Sequence, residues 1–474
     1  MKIRTIILGA GGRDFFHFLR VYKENPKYKV MAFTATQIPF IEKRKFPKEL
    51  AGRFYKKDIP IYPEKELPKL IEKLKIKEVN FAYSDVSYKH LNKLRKITEK
   101  LKARFRLLKP EETMLKSKKF VISVCGSRTG AGKGTLVKRI LSFFKKLNKR
   151  IVIIRHPMAY GNIKEKAVER FASLRDLQKK EITLEEREEY ERHLKEGFVV
   201  YAGYDMEKIL KRAEKEAEII LWNGGNNDFP FIKPNYQIVV VDARRPGHEI
   251  KYFPSDITVR LADLLIINKV DVVPKRNVEI VRNNLRKLNK RAKILLARMK
   301  LIVDKPELVK NKVVLCIEDG PTLTHGGLPT GAAFQAAKEL KAKKIIDPRR
   351  FASGLIKDTF RKYPHLKKCL PAVGYNREQL KDLETTIEKT KCDSLVVATP
   401  IDLSKIIKIE KPIVRVNYEI EEIGPWKIET ILNNVITNHF DKDLIFSHPL
   451  LILPSPKGRG WDIHKILDFI FNFC

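Results

Sequence analysis

Short apolar runs alternate along most of this chain with stretches whose apolar residues return every three or four positions. The first pattern predicts buried strands and the second predicts amphipathic helices. The runs fall at residues 5–8, 30–33, 78–83, 120–124, 150–154, 218–222, 237–241, 263–267 and 313–317. Strands that alternate with helices imply a parallel, doubly wound sheet, so the expected fold class is α/β. Ligands of such sheets sit at the carboxyl ends of the strands. The residues that follow each run are therefore the candidates for chemistry.

The run 120–124 leads into Cys125-Gly126-Ser127-Arg128-Thr129-Gly130-Ala131-Gly132-Lys133-Gly134-Thr135, and helical spacing follows over 136–147. Strand, Gly-rich turn, Lys and helix is the geometry of a phosphate-binding P-loop. Backbone N–H groups curl round the phosphate oxygens, the helix N-terminus adds its positive end, and Lys133 reaches the β- and γ-phosphates. Ser127 stands where the first Gly of G-x-x-x-x-G-K-[ST] is expected, and Gly126 is one place early. Gly134 replaces the usual Mg²⁺-binding hydroxyl, which leaves Thr135 as the candidate ligand.

Later strand ends add to this site. The run 150–154 ends in Arg155-His156, cations suited to a transferring phosphoryl group. The run 218–222 ends at Asn223, where an acidic Mg²⁺ ligand is expected; Asp228 or Asp242 would have to serve instead. Asn268-Lys269-Val270-Asp271 follows the run 263–267 and has the form of the guanine-recognition tetrapeptide of GTPases. Residues 162–217 read as a mostly helical insertion. Its i,i+4 charge pattern over 185–192 favours a solvated helix over a lid.

Outside the P-loop region two further stretches are candidates. Gly9-Ala10-Gly11-Gly12-Arg13-Asp14 departs from a dinucleotide fingerprint at its third glycine, and the second strand ends in Thr36 rather than an acid. NAD is therefore not expected. An anion site at Arg13 and a structural Gly-rich turn both remain open, with Ser84 and Asp85 at a neighbouring strand end. Glu318-Asp319-Gly320-Pro321-Thr322-Leu323-Thr324-His325-Gly326 is too polar and Gly-rich for an ordinary connection, and reads as a substrate or metal pocket. The expected domains are 1–118 (Rossmann-like), 119–310 (P-loop) and 311–430 (α/β), with an appended tail at 431–474.

Composition narrows the class. The 474 residues carry a formal net charge of +39, but Lys and Arg are interleaved with Glu and no nucleic-acid-binding motif occurs. Specific nucleic-acid binding is not expected; a Lys-rich, thermophile-style surface or attraction of phosphorylated small substrates is. The five cysteines are widely spaced and form no C-x-x-C pair, as expected for free thiols. No run is long enough for a membrane span, and the start carries no signal-peptide pattern, so the cytoplasm is the expected compartment. The apolar tail makes a homodimer the expected assembly.

Together these stretches resemble an archaeal and bacterial family of P-loop GTPases related to cyclic 2,3-diphosphoglycerate synthetase. The similarity lies in Gly9 to Phe15, Phe33 to Pro39, Phe81 to Ser87, Arg128 to Lys133, Ile154 to Met158, Gly224 to Pro230, Arg245 to Glu249, Asn268 to Asp271 and Glu318 to Gly326. It spans roughly residues 1 to 425. The family usually has Ser or Thr after the P-loop Lys and Asp before Gly-Gly-Asn-Asn; Gly134 and Asn223 depart from both.

The resemblance implies ATP-driven closure of 2,3-diphosphoglycerate into a cyclic phosphoanhydride, with Mg²⁺ as cofactor. It implies catalytic roles for Lys133, Arg128, Arg155 and His325. Nucleotide would be held by residues 127–135 with Asn268, Lys269 and Asp271, and substrate by Arg13, Asp14, Ser84, Arg245, His248, Thr322 and Thr324. Thr135, Asp228 and Asp242 are the candidate metal ligands. The alternative is a regulatory GTPase. ATP and GTP both remain open, because some related ligases carry N-K-x-D-like loops and use ATP.

Overall fold

The structure, a computed structural model, describes residues 2–35, 44–158, 161–180, 182–225, 227–324, 326–374, 377–399 and 402–447. Thr36, His325 and the tail beyond 447 lie outside the described residues. The chain forms two units, Met1–Trp426 and Lys427–Cys474. The second contributes one helix, Ile428–Ser447. Among the described residues no helix is long and apolar enough to cross a membrane.

The first unit opens with β1 (Ile3–Leu8), β2 (Tyr28–Ala35), β3 (Lys45–Phe46), β4 (Ile59–Pro63), β5 (Glu78–Phe81), β6 (Val86–Ser87) and β7 (Arg104–Leu107). Six of these form a sheet in the order β3-β4-β2-β1-β5-β7, parallel except at β3. Both faces are covered. Phe15, Phe18, Phe33 and Phe46 pack edge-to-face or tilted on one face, with centroids 4.9–5.7 Å apart. Leu67, Leu70, Leu91 and Val79 fill the other.

A second sheet begins with β8 (Phe120–Gly126), β9 (Ile151–Arg155), β10 (Glu169–Phe171), β11 (Val199–Ala202), β12 (Ile219–Asn223) and β13 (Tyr236–Asp242). It continues, past the short β14 (Tyr252–Phe253), with β15 (Leu264–Asn268) and β16 (Lys293–Val303). The remaining strands are β17 (Val313–Asp319), β18 (Lys344–Ile345), β19 (Cys369–Ala372), β20 (Ser394–Ala398) and β21 (Ile413–Ile423). The path runs β10-β11-β9-β12-β8-β13-β15-β16-β21-β20-β17-β18, with β19 beside β17. This is the α/β P-loop fold, with the P-loop strand β8 between β12 and β13.

Two features of this sheet are absent from the periodicity. The long strands β16 and β21 pair antiparallel from Leu296↔Ile423 to Val303↔Val416, and so join two halves, parallel but for the edge pair β10–β11, into one sheet. Residues 162–217, read as mostly helical, also hold β10 and β11; the β-branched, buried β11 extends the sheet beside β9. The N-terminal sheet is tied to the second through the antiparallel pair β14–β6.

Candidate active site

The P-loop leaves β8 at Ser127 and enters the helix Lys133–Lys146. Gly130 and Gly132 take left-handed φ values of 77° and 110°. At Gly132 a Cβ would lie 2.2 Å from the side-chain nitrogen of Asn268, which donates to the carbonyl of Ala131 at 3.0 Å. No side chain caps this helix. Its first N–H groups are the donors a phosphate needs.

Lys133 extends from the first turn and donates to Oδ1 of Asn223 at 3.0 Å. Burial, and then the charge of Arg155, push its ammonium down to about 7. Arg155 donates to the carbonyl of Asn223 at 2.9 Å and pairs with Glu189 at 2.9 Å. Glu189 also pairs with Arg192 at 2.7 Å. Burial opposes the charge of Glu189, but Arg155 and Arg192 outweigh it and hold the carboxyl well below its usual range.

The helix that carries Glu189 and Arg192, Leu184–Lys195, corrects the solvated reading of its charges. It is anchored on the sheet by a capping box at Thr183, a buried Lys166–Glu186 pair of 2.7 Å, and Tyr190 stacked on Phe171 at 5.0 Å. Two of its charges, Glu189 and Arg192, line the cavity beside the P-loop, and Arg155 from β9 pairs with Glu189.

The N-terminal sheet supplies Asp85, a residue that sequence reasoning placed at a strand end without a role. Its N–H donates to Asn227 at 2.8 Å, which holds it at φ 62°. Its carboxylate pairs with Arg128 and accepts from the Thr129 hydroxyl at 2.8 Å. The Arg128 guanidinium also lies 3.6 Å from the ring centroid of Tyr252 and 2.6 Å from Nδ1 of His248. His248 stacks on Tyr252 at 4.5 Å, so it positions Arg128 and does not line the cavity described below.

Arg13, Asp14, Ser84 and Asp228 are also placed away from that cavity. Asp14 accepts from the N–H groups of Gly11, Gly12 and Phe15 at 2.8–3.0 Å, so it shapes its own turn. Arg13 is buried against Asp228, whose other oxygen meets His156 at 2.8 Å. Burial opposes the Asp228 charge, but Arg13, His156 and a hydrogen bond from Ser84 bring it to about 2. A Cβ at Gly12 would meet the carbonyl of Pro157 at 2.5 Å. These residues form a close-packed joint between the two sheets. The expected anion site at Arg13 and metal role of Asp228 do not find open coordination positions there.

Asp242, the other expected metal ligand, is surrounded by cations. Lys269 lies at 3.0 Å, Arg245 at 3.1 Å and Arg244 at 3.3 Å. Lys269 also donates to the carbonyl of Gly130, and Arg245 to those of Thr129 (2.8 Å) and Gly326. Asn268, Lys269 and Arg245 thus brace the P-loop from below, while Asp271 lines the cavity. The Thr135 hydroxyl donates back to Gly132 at 2.7 Å. With Gly134 lacking a hydroxyl and Asn223 already accepting from Lys133, these side chains do not fit a P-loop Mg²⁺ site. Among the described residues no group of three or more His, Cys, Asp or Glu is placed to hold a metal.

The opposite wall comes from the carboxyl end of β17. Glu318 accepts from the N–H groups of Gly331, Ala333 and Phe334 at 2.9–3.2 Å, and burial raises it to about 7. Asp319 accepts from the N–H and hydroxyl of Thr322. Thr322 touches the loop: a Cβ at Gly130 would be 2.9 Å from its methyl. Thr324 bonds back to Gly320 at 2.9 Å and does not line the cavity.

Between these walls lies a cavity of 370 Å³. Its lining holds Arg128, Lys133, Arg155 and Arg192, with Glu189 between the last two, as well as Arg244 and Lys269; the acids Glu318, Asp319, Asp271 and Glu339 also line it. Met299, Leu301 and Tyr418, on the β16–β21 junction, add apolar surface. Nothing in the periodicity marked these last residues, because they meet only through that pairing.

Residues 197–297 match the P-loop domain of cyclic 2,3-diphosphoglycerate synthetase. Over 437 residues, 92% of this chain and 98% of its relative, the chain is 49% identical to arginine synthetase ArcE of Thermococcus kodakarensis. Over 106 residues, 22% of this chain and 24% of the relative, it is 32% identical to cyclic 2,3-diphosphoglycerate synthetase of Thermococcus sibiricus. Among solved structures, ATP-bound LpxK of Aquifex aeolicus aligns with 79% of this chain and 99% of its own at 15% identity and a TM-score of 0.42.

Proposed function

The chain belongs to the family of arginine synthetase ArcE, with kinship to cyclic 2,3-diphosphoglycerate synthetase, and we propose that it spends a nucleoside triphosphate to form a guanidino carbon–nitrogen bond, with arginine as product. The observation that carries this reading is the acidic wall facing the P-loop: Glu318, Asp319, Asp271 and Glu339. A diphosphoglycerate brings several negative charges of its own. It would need cations beyond those that serve the nucleotide. Arg13 and Arg245 are buried and paired with Asp228 and Asp242, and the further cations that line the cavity, Arg128, Arg244 and Lys269, are paired with Asp85 and Asp242. A substrate that is neutral or cationic at the reacting end suits the wall better.

The chemistry follows from what a guanidinium requires. Converting a ureido group to a guanidinium replaces its oxygen by nitrogen, and oxide is a poor leaving group. The loop N–H groups and Lys133 hold the β- and γ-phosphates, and Arg155 and Arg192 face the charge that spreads over the transferring group. The ureido oxygen attacks the γ-phosphorus and the nucleoside diphosphate departs. Ammonia then adds to the activated carbon, the C–O bond breaks, inorganic phosphate leaves, and the product keeps the proton that makes the guanidinium cationic. The two walls serve the two halves of this reaction.

Closure of 2,3-diphosphoglycerate is the second reading, supported by the match over residues 197–297. Incubating the full chain with ATP or GTP, and with either citrulline plus ammonium or 2,3-diphosphoglycerate, separates the two. Arginine formed stoichiometrically with phosphate is the expected result. Nucleotide turnover that depends on diphosphoglycerate alone overturns it. The same assay sets ATP against GTP, the choice that Asp271 bears on.

A further inference from the structure

The two departures from the P-loop pattern, Gly134 and Asn223, are spatially linked. In P-loops the residue after the Lys places a hydroxyl on Mg²⁺, and an acid from a neighbouring strand supports the ion. Here a Cβ at 134 would lie 2.5 Å from Nη1 of Arg192, and 3.2 Å from its Cζ and Nη2. A guanidinium therefore lies over the helix's first turn, in the space a Ser or Thr side chain would fill. Asn223 presents a neutral amide that accepts from Lys133 at 3.0 Å, so the strand adds no negative charge for an ion.

Arg192 is held for this position. Glu189 fixes it at 2.7 Å while also holding Arg155 at 2.9 Å, and both arginines line the cavity beside Lys133. Among the described residues, the Nε groups of Arg155 and Arg192 are buried and make no hydrogen bond. A guanidinium matches phosphate oxygens two at a time, which a hydroxyl-held ion does by coordination.

We infer that Arg192, delivered in cis by the inserted helix Leu184–Lys195, takes over the protein side of the P-loop metal site: it binds the β- and γ-phosphate oxygens directly, so that nucleotide affinity does not depend on Mg²⁺. The inference rests on the nucleotide reading of the loop. It accounts for both departures at once. Gly134 makes room for the guanidinium, and Asn223 meets Lys133 with a neutral amide where an acid would support an ion.

Calorimetric titration of the full chain with ADP and ATP, in excess EDTA and in Mg²⁺, tests it. The parent is expected to bind within about threefold under the two conditions. Arg192→Ala is expected to lose about 10- to 100-fold of the Mg²⁺-free affinity, the scale of hydrogen bonds to charged groups. Gly134→Ala provides a second variant. Alanine favours the helix, so the melting temperature should hold or rise, yet its methyl displaces the guanidinium and should give the same loss. Binding by the parent that is tenfold or more tighter in Mg²⁺ overturns the inference and leaves the nucleotide reading standing. So does unchanged Mg²⁺-free affinity in both variants. Absence of binding under both conditions overturns the nucleotide reading, and the inference falls with it.

Discussion

The ammonium of Lys133 donates to the side-chain oxygen of Asn223 across 3.0 Å, from the first turn of the P-loop helix to the end of the adjacent strand β12. The partner is neutral. Burial, then Arg155, hold the ammonium at about 7 against an ordinary 10.5. In the protein without an anion, Lys133 is therefore only partly charged near neutrality.

Nucleotide binding should consequently take up a proton. A lysine lowered in the folded state makes stability rise with pH between about 7 and 10.5, because the unfolded chain holds more protons there. A bound phosphate reverses the preference and restores the charge. Titrations at pH 8 in buffers of different ionisation enthalpy should report uptake approaching about one proton, falling towards zero at pH 6. Lys133→Ala should weaken binding by about 100-fold and lower the uptake.

Asp85 should matter to nucleotide affinity although it belongs to the N-terminal sheet. Its carboxylate is buried against Arg128 and Thr129 at the start of the loop. Removing one partner of a buried pair costs about 3–5 kcal/mol. Asp85→Ala is expected to lower the melting temperature and weaken nucleotide binding together; thermal melts with and without ADP would show both.

Arg13 should behave differently. It is buried against Asp228 in the joint between the sheets and does not line the cavity. Arg13→Ala is expected to destabilise by a similar amount, about 3–5 kcal/mol. KM for the small substrate should stay within about twofold, measured below the variant's melting transition. A large rise in KM at unchanged stability would restore the anion site.

Glu318 gives a pH signature. Burial raises its carboxyl from 4.5 to about 7. A raised acid contributes stability that is fully present below the unfolded value and is lost as pH rises through the folded one. The parent should therefore lose stability between pH 4.5 and about 7. Glu318→Gln should flatten that limb in denaturant titrations run across the same interval.

The sequence by itself determined the P-loop, the alternation of strands and helices around it, and the edge of the sheet at which chemistry gathers. Glycine spacing, apolar runs and a lysine at a helix start are local properties, and local sterics fix them. It also marked Gly134 and Asn223 as departures. Only the tertiary structure decided what those departures meant. Arg192 is 58 positions beyond Gly134 in the chain, on a helix whose charges look solvated until Arg155 and Lys166 are brought against them. Likewise Asp228 and Asp242 read as metal ligands until Arg13, Lys269 and Arg245 arrive from elsewhere to pair with them. Periodicity shows that a charge sits on a given face. What neutralises that charge depends on which distant segment packs there, and the pairing of strands far apart in sequence sets it.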